Sequence, residues 1–100
     1  MITSLPEQAQ RRAALTYNAA ADSYDRRPLS FWNYFGDQTI ERLWLPTGSS
    51  VLDVCCGAGA SALSAAKRVG PRGKVIGVDL AKELLELARA KAAQQHLGNI

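Results

Sequence analysis

The sequence predicts an α/β protein: the N-terminal part of a doubly wound parallel sheet, in the order β-α-β-α, preceded by a helical cap. Two short runs rich in β-branched residues, Val51-Leu52-Asp53-Val54-Cys55 and Lys74-Val75-Ile76-Gly77-Val78-Asp79, are each bounded by turn residues. A helical pattern follows each run, and glycines mark the passage from the first strand into its helix. Buried strands joined through a helix run parallel, with a right-handed crossover.

The elements follow from local chemistry, in chain order. Ser4-Leu5-Pro6-Glu7 has the S-x-x-E order of a capping box with proline in the first turn, which predicts a helix from near Leu5 toward Ala21. Ala9, Ala13 and Ala20 give it a face of small residues. Pro28 breaks the pattern. From Ser30-Phe31 a second helix is expected, with Trp32, Phe35, Ile40, Leu43 and Trp44 recurring at helical spacing, and Pro46-Thr47-Gly48-Ser49-Ser50 closes it as a loop. The first strand should be buried in the manner of a parallel sheet. Ala60 to Val69 is nearly all small or apolar and suits a helix packed closely on that sheet, ended by Gly70-Pro71-Arg72-Gly73. After the second strand, Leu84, Leu85, Ala88 and Ala92 form the apolar stripe of another helix. A third strand is expected to begin at Asn99-Ile100. Two strands cannot stand as such a sheet, since each needs cover on both faces and neighbours at its edges, so the residues are expected to be part of a larger domain.

Composition narrows the function classes. With 100 residues, 47% hydrophobic and 21% charged, the chain has the profile of one globular domain at most. No apolar run approaches the roughly 18 residues of a membrane span, and the N-terminus lacks the basic-then-apolar order of a secretory signal, so a cytoplasmic protein is expected. The net charge of +3 is local: Lys67, Arg68, Arg72 and Lys74 surround the Gly70–Gly73 turn, a solvated rim in preference to a nucleic-acid footprint. Cys55 and Cys56 are adjacent, which matches neither a CxxC motif nor a separated disulfide staple. They fit a reducing compartment, as small buried residues on a strand without a histidine partner, and no metal is expected. His96, the single histidine, is expected at a solvated helix end.

Ligands in open α/β sheets bind at the carboxyl ends of the strands. There, Gly57-Ala58-Gly59-Ala60-Ser61-Ala62 satisfies a dinucleotide pattern, and Asp79 stands about twenty residues on, where an acid that binds ribose belongs. A nicotinamide-dependent oxidoreductase is therefore one reading. Asp53 speaks against it, because a pyrophosphate would meet an unscreened carboxylate beside the helix N-terminus. A cationic ligand would gain instead. S-adenosylmethionine carries an ammonium and a sulfonium at one end and a ribose at the other, so Asp53 and Asp79 suit opposite ends of one molecule. Gly57 and Gly59 would let the loop backbone approach it.

These residues resemble a known family. VLDVCCGAGASAL is similar to the first motif of the class I S-adenosylmethionine-dependent methyltransferases, and VIGVDLA to the acidic segment at their second strand. YDRRPLSFWNYFGDQTIERL and ELLELARAKA resemble the small-molecule branch that includes the ubiquinone and menaquinone methyltransferases. The resemblance implies a Rossmann-like sheet, with residues 1–46 as an N-terminal helical cap and 47–100 as the first half of the domain that binds S-adenosyl-L-methionine. It implies that Asp53, Gly57 and Gly59 line the methionine part of the donor, that Asp79 holds the ribose hydroxyls and that Leu80 lies against the adenine. Cys55 joins this set, at the position where the family most often has its first glycine.

All seven aromatic residues precede the first strand. In the resembling enzymes the N-terminal helices cover the donor and wall off the acceptor, so Tyr17 and Tyr24 are candidates for the donor side and Phe31 and Trp32 for a small-molecule acceptor. The competing expectation is that these rings form the core of the cap, to which Phe35, Leu43 and Trp44 are assigned. No general base is identifiable. A third class of function is a non-catalytic binding or assembly module, which would bury an open sheet edge in a partner or a homodimer.

Overall fold

A computed structural model describes residues 5–24, 26 and 30–100. They form α1 (Leu5–Tyr24), α2 (Phe31–Leu43), β1 (Ser50–Val54), α3 (Ala60–Val69), β2 (Lys74–Val78) and α4 (Lys82–Gln94). Ser4 of the capping box and the helix-breaking Pro28 lie outside the described residues. The fold class is α/β, with β1 and β2 paired in parallel from Ser50 opposite Lys74 to Val54 opposite Val78. This register sets Asp53 against Gly77, and Cys56 fills the room a side chain at Gly77 would take, its Sγ 2.8 Å from where a Cβ would stand.

Helix α3 packs on the sheet through its small residues. Ala62, Ala65, Ala66 and Val69 are buried with Val75 of β2, Cys56 of the following loop and Ile40 of α2. Alanines let the helix backbone sit close to the strands, and Val69 and Val75 are sealed from solvent, each contributing about 1.5–3 kcal/mol. A second cluster, Ala21, Ala58, Ala81 and Leu84, joins α1, the loop after β1 and the start of α4. There, Asn18 Oδ1 accepts a hydrogen bond from the Glu83 amide at 3.1 Å, so α1 satisfies a first-turn donor of α4 across 65 residues.

Helix α2 is seated on α3 through Gly36 and Ile40, one turn apart and both buried. A Cβ at Gly36 would run into the Ala60 carbonyl and come within 2.8 Å of the Ser61 nitrogen, so glycine is needed for this approach. That narrow contact corrects one expectation. Phe35, Leu43 and Trp44 are exposed, Trp44 at 81%, because the faces of α2 away from Gly36 and Ile40 have no element against them among the described residues. The small face of α1 is likewise only partly used: Ala21 is buried, Ala13 and Ala20 are half-buried and Ala9 is exposed.

The strands also differ from expectation. Each ends one residue early, leaving Cys55 and Asp79 in the loops. They are buried on one face only. Leu52 and Val54 are each 64% exposed and Ile76 and Val78 lie bare beside them, because α3 covers the other side. No strand forms at Asn99-Ile100, yet the Val75 amide donates to the Asn99 carbonyl at 2.8 Å, which starts a third row on the free edge of β2. Asn99 Nδ2 also donates to the Ala66 and Gly70 carbonyls, both at 2.8 Å, satisfying the C-terminal end of α3. Lys67, Arg68, Arg72 and Lys74 are all exposed around the turn, and Arg68 Nε donates to the Leu45 carbonyl at 3.1 Å.

Candidate functional site

The site is built on the loop from β1 into α3. Three of its five residues have left-handed backbone: Cys55 at φ 59°, Gly57 at 55° and Gly59 at 88°. Gly59 initiates α3 without any side-chain cap, so the first amides of that helix remain directed at the loop. Cys55 is the residue that bears strain, since a Cβ in this conformation costs about 1–2 kcal/mol. A glycine in this conformation would carry no such cost.

Two carboxylates bracket the loop. Asp53, half-buried on β1, accepts a hydrogen bond from the Ser61 hydroxyl through Oδ2 at 2.7 Å. Asp79, just beyond β2, accepts from the Gly57 amide through Oδ2 at 2.9 Å and from the Ala81 amide through Oδ1 at 2.8 Å. It thereby ties the ends of the two strands together, assisted by the Cys56 amide donating to the Val78 carbonyl at 3.0 Å. Asp79 does not itself cap the α4 helix. The structure gives the cap position to Ala81, with no side-chain cap bond, and Asp79 bonds the Ala81 amide ahead of the helical turn.

Neither cysteine lies on a strand. Cys56 is buried, and Cys55 is exposed. Desolvation, with the negative charges of Asp53 and Asp79 behind it, pushes the Cys56 thiol up to about 11, so it is neutral at pH 7 and suited to packing. The Tyr24 phenol is pushed up too, chiefly by burial and then by Tyr17 and Asp79, and keeps its proton as a hydrogen-bond donor.

A cavity of about 290 Å³ opens between α1, α2 and this loop, lined by Tyr24, Trp32, Asn33, Cys55, Cys56, Gly57, Ala58, Ala60 and Ser61. It brings together four of the residues singled out in the sequence: Tyr24, Trp32, Cys55 and Gly57. Phe31 is one ring removed, packed on Trp32 with centroids 4.8 Å apart. Tyr17 and Leu80 are exposed, and Gly59, Asp53 and Asp79 are not among the lining residues. Asn33 and Ser61 were not anticipated. Asn33 gave no signal beyond its place next to Trp32, and Ser61 is the second residue of α3, where a short hydroxyl reaches back to the strand. A larger cavity of about 640 Å³ lies between the end of α3 and residues 96–100. It sits by Lys74 at the amino end of β2, the wrong end of the sheet for a ligand. Among the described residues no group of three metal-ligating side chains is found. His96 is exposed past the end of α4.

The chain is 34% identical to a demethylmenaquinone methyltransferase of Lactococcus lactis over 97% of its own length and 40% of the relative's. It is 33% identical to the aklanonic acid methyltransferase DauC of a Streptomyces species, over 91% of this chain and 41% of that one. Among solved structures, a SAM dependent methyltransferase from Aquifex aeolicus superposes with a TM-score of 0.65 at 28% identity, over 82% of this chain and 43% of that chain. The chain thus spans about two fifths of the length of these relatives. A family model described as a methyltransferase domain matches residues 45–100, from just after α2 through both strands and α4. The chain belongs to this methyltransferase domain family.

Proposed function

We propose that this chain forms the donor-binding part of an S-adenosylmethionine-dependent methyltransferase that acts on a small-molecule acceptor. The observation that supports it most is the placement of Asp53 and Asp79 at adjacent strand ends, on either side of a loop with three left-handed residues. The residues present fit the cofactor. Asp53 is a half-buried carboxylate with Oδ1 in no direct hydrogen bond among the described residues, which suits a cationic group. Asp79 uses one lone pair on each oxygen and keeps capacity for hydroxyl donors.

In this reading Asp53, Cys55, Gly57 and Gly59 hold the methionine end, Asp79 the ribose hydroxyls and Leu80 the adenine. Tyr17 and Tyr24 belong to the donor side, and Phe31 and Trp32 to the acceptor. Residues 1–46 act as a cap and 47–100 as the first half of the donor-binding domain. S-adenosylmethionine supplies an electrophilic methyl group on a positively charged sulfur. The work of the chain is to align that methyl with the acceptor nucleophile and to keep the site poor in water. Relatives named for demethylmenaquinone and aklanonic acid support a small organic acceptor. None of the helices described is long and apolar enough to cross a membrane, and a cytoplasmic location accompanies the proposal. The bare face of β1 and β2 favours one second reading, an assembly module or homodimer formed through the sheet.

Calorimetric titration with S-adenosylhomocysteine tests the proposal. Asp53→Ala and Asp79→Ala are each expected to weaken binding at least tenfold, while His96→Ala leaves it unchanged. Equal affinity in both aspartate variants and the parent would overturn the assignment, and absence of binding both to this chain and to a longer form that supplies further strands would favour the assembly reading.

A further inference from the structure

The Asp53 carboxylate can swing about its terminal torsion, which is broad for an aspartate. One side chain restrains it. The Ser61 hydroxyl, in the first turn of α3, donates to Oδ2 at 2.7 Å and closes a ring across eight residues between strand and helix. No other hydrogen bond to this carboxylate is formed among the described residues with either oxygen as direct partner, so Oδ1 stays open. Ser61 also lines the 290 Å³ cavity, and its hydrogen bond leads from there to Asp53, which is not itself among the lining residues. The hydroxyl is therefore the connection between the charge and the cavity wall, and it rests on a helix start fixed by the contact of Gly36 with the Ala60 and Ser61 backbone.

We infer that Ser61 is a positioning residue, which holds the Asp53 carboxylate with Oδ1 presented to the cationic amino-acid end of the ligand. This rests on the donor-site reading above and adds to it a residue and a selectivity. The hydrogen bond to a charged acceptor is of the stronger kind, and it leaves one carboxylate oxygen occupied and the other directed. Loss of the hydroxyl should blur the direction of Oδ1 without removing the charge. Ligands that carry the amino-acid end should notice; ligands without it should not.

The test compares two probes by calorimetry: S-adenosylhomocysteine, which has the ammonium and carboxylate, and 5′-methylthioadenosine, which lacks both. Ser61→Ala is expected to weaken the first about tenfold and to change the second less than twofold. Ser61→Thr keeps the hydroxyl and should restore the parent affinity. In the Asp53→Ala background, Ser61→Ala should add nothing, the non-additivity expected of residues that act as one unit. Alanine suits a helix interior, so folding should persist, and circular dichroism of both variants checks it. Equal weakening of both probes would reduce Ser61 to a structural role and overturn the inference, as would unchanged affinity for the first probe. If the parent binds neither probe, the donor-site reading fails, and this inference with it. If the parent binds both but Ser61→Ala binds both like the parent, the inference alone fails.

Discussion

Asp79→Asn isolates the tie between the two strand ends. The carboxylate accepts from the Gly57 amide at 2.9 Å and from the Ala81 amide at 2.8 Å, each oxygen serving one donor. An asparagine of the same shape keeps one oxygen and turns an NH2 group toward the other donor. A hydrogen bond to a charged group is worth about 1.5–3 kcal/mol and a neutral one about 0.5–1.5. Losing one of the two and weakening the other therefore costs about 2–4 kcal/mol, and the lower end applies because the side chain is only half-buried. Urea unfolding followed by circular dichroism reads the change. With a slope near 1 kcal/mol per M for a chain of this size, the midpoint should fall by about 2 M at unchanged slope. Backbone amide exchange at Gly57 should rise in parallel, since its acceptor is gone or neutral. A loss below about 0.5 kcal/mol, with Gly57 exchange as in the parent, would refute the claim that Asp79 holds the loop before any ligand arrives.

Gly36→Ala should lower stability by about 1–2 kcal/mol, because overpacking against the rigid Ala60 and Ser61 backbone outweighs the gain in helix propensity, while Gly98→Ala, with open space around it, stays neutral in the same melts. Brief alkylation at pH 8 followed by mass spectrometry should mark Cys55 and leave Cys56 untouched until the chain is unfolded. Cys56 also sets an alkaline limit: its folded thiol ionises near 11 and its unfolded thiol near 9, so the stability it contributes is complete below pH 9 and is lost as pH rises through 11. Melts from pH 8 to 11 should show this decline, and Cys56→Ala should flatten it.

Much of the fold was legible because it depends on local patterns. The run of small residues from Ala60 to Val69, stopped by a glycine, is α3 to the residue, and the two β-branched runs are β1 and β2 within one residue at each end. Of the stripe of Leu84, Leu85, Ala88 and Ala92, all but the half-buried Leu85 make the buried face of α4. The acids at both strand ends were legible too, since strand length and the glycine turn place them by counting. Other features had no local signature. Phe35, Leu43 and Trp44 carry the helical period of core residues, yet whether they are covered depends on what packs against α2. The sequence of Cys55 does not announce that its backbone is left-handed.

By itself, then, the sequence determined the order of elements, the glycine turn and the place of the two carboxylates at the strand ends, because propensity, period and turn chemistry act over a few residues. Tertiary structure alone decided which sheet face is open, that Asn18 serves the α4 start from 65 residues away, that Asp79 spends both oxygens on backbone amides and that Ser61 holds Asp53. Each of these is a contact between separate elements, and its partner is set by how helices lie on the sheet, a property that no short window of residues contains.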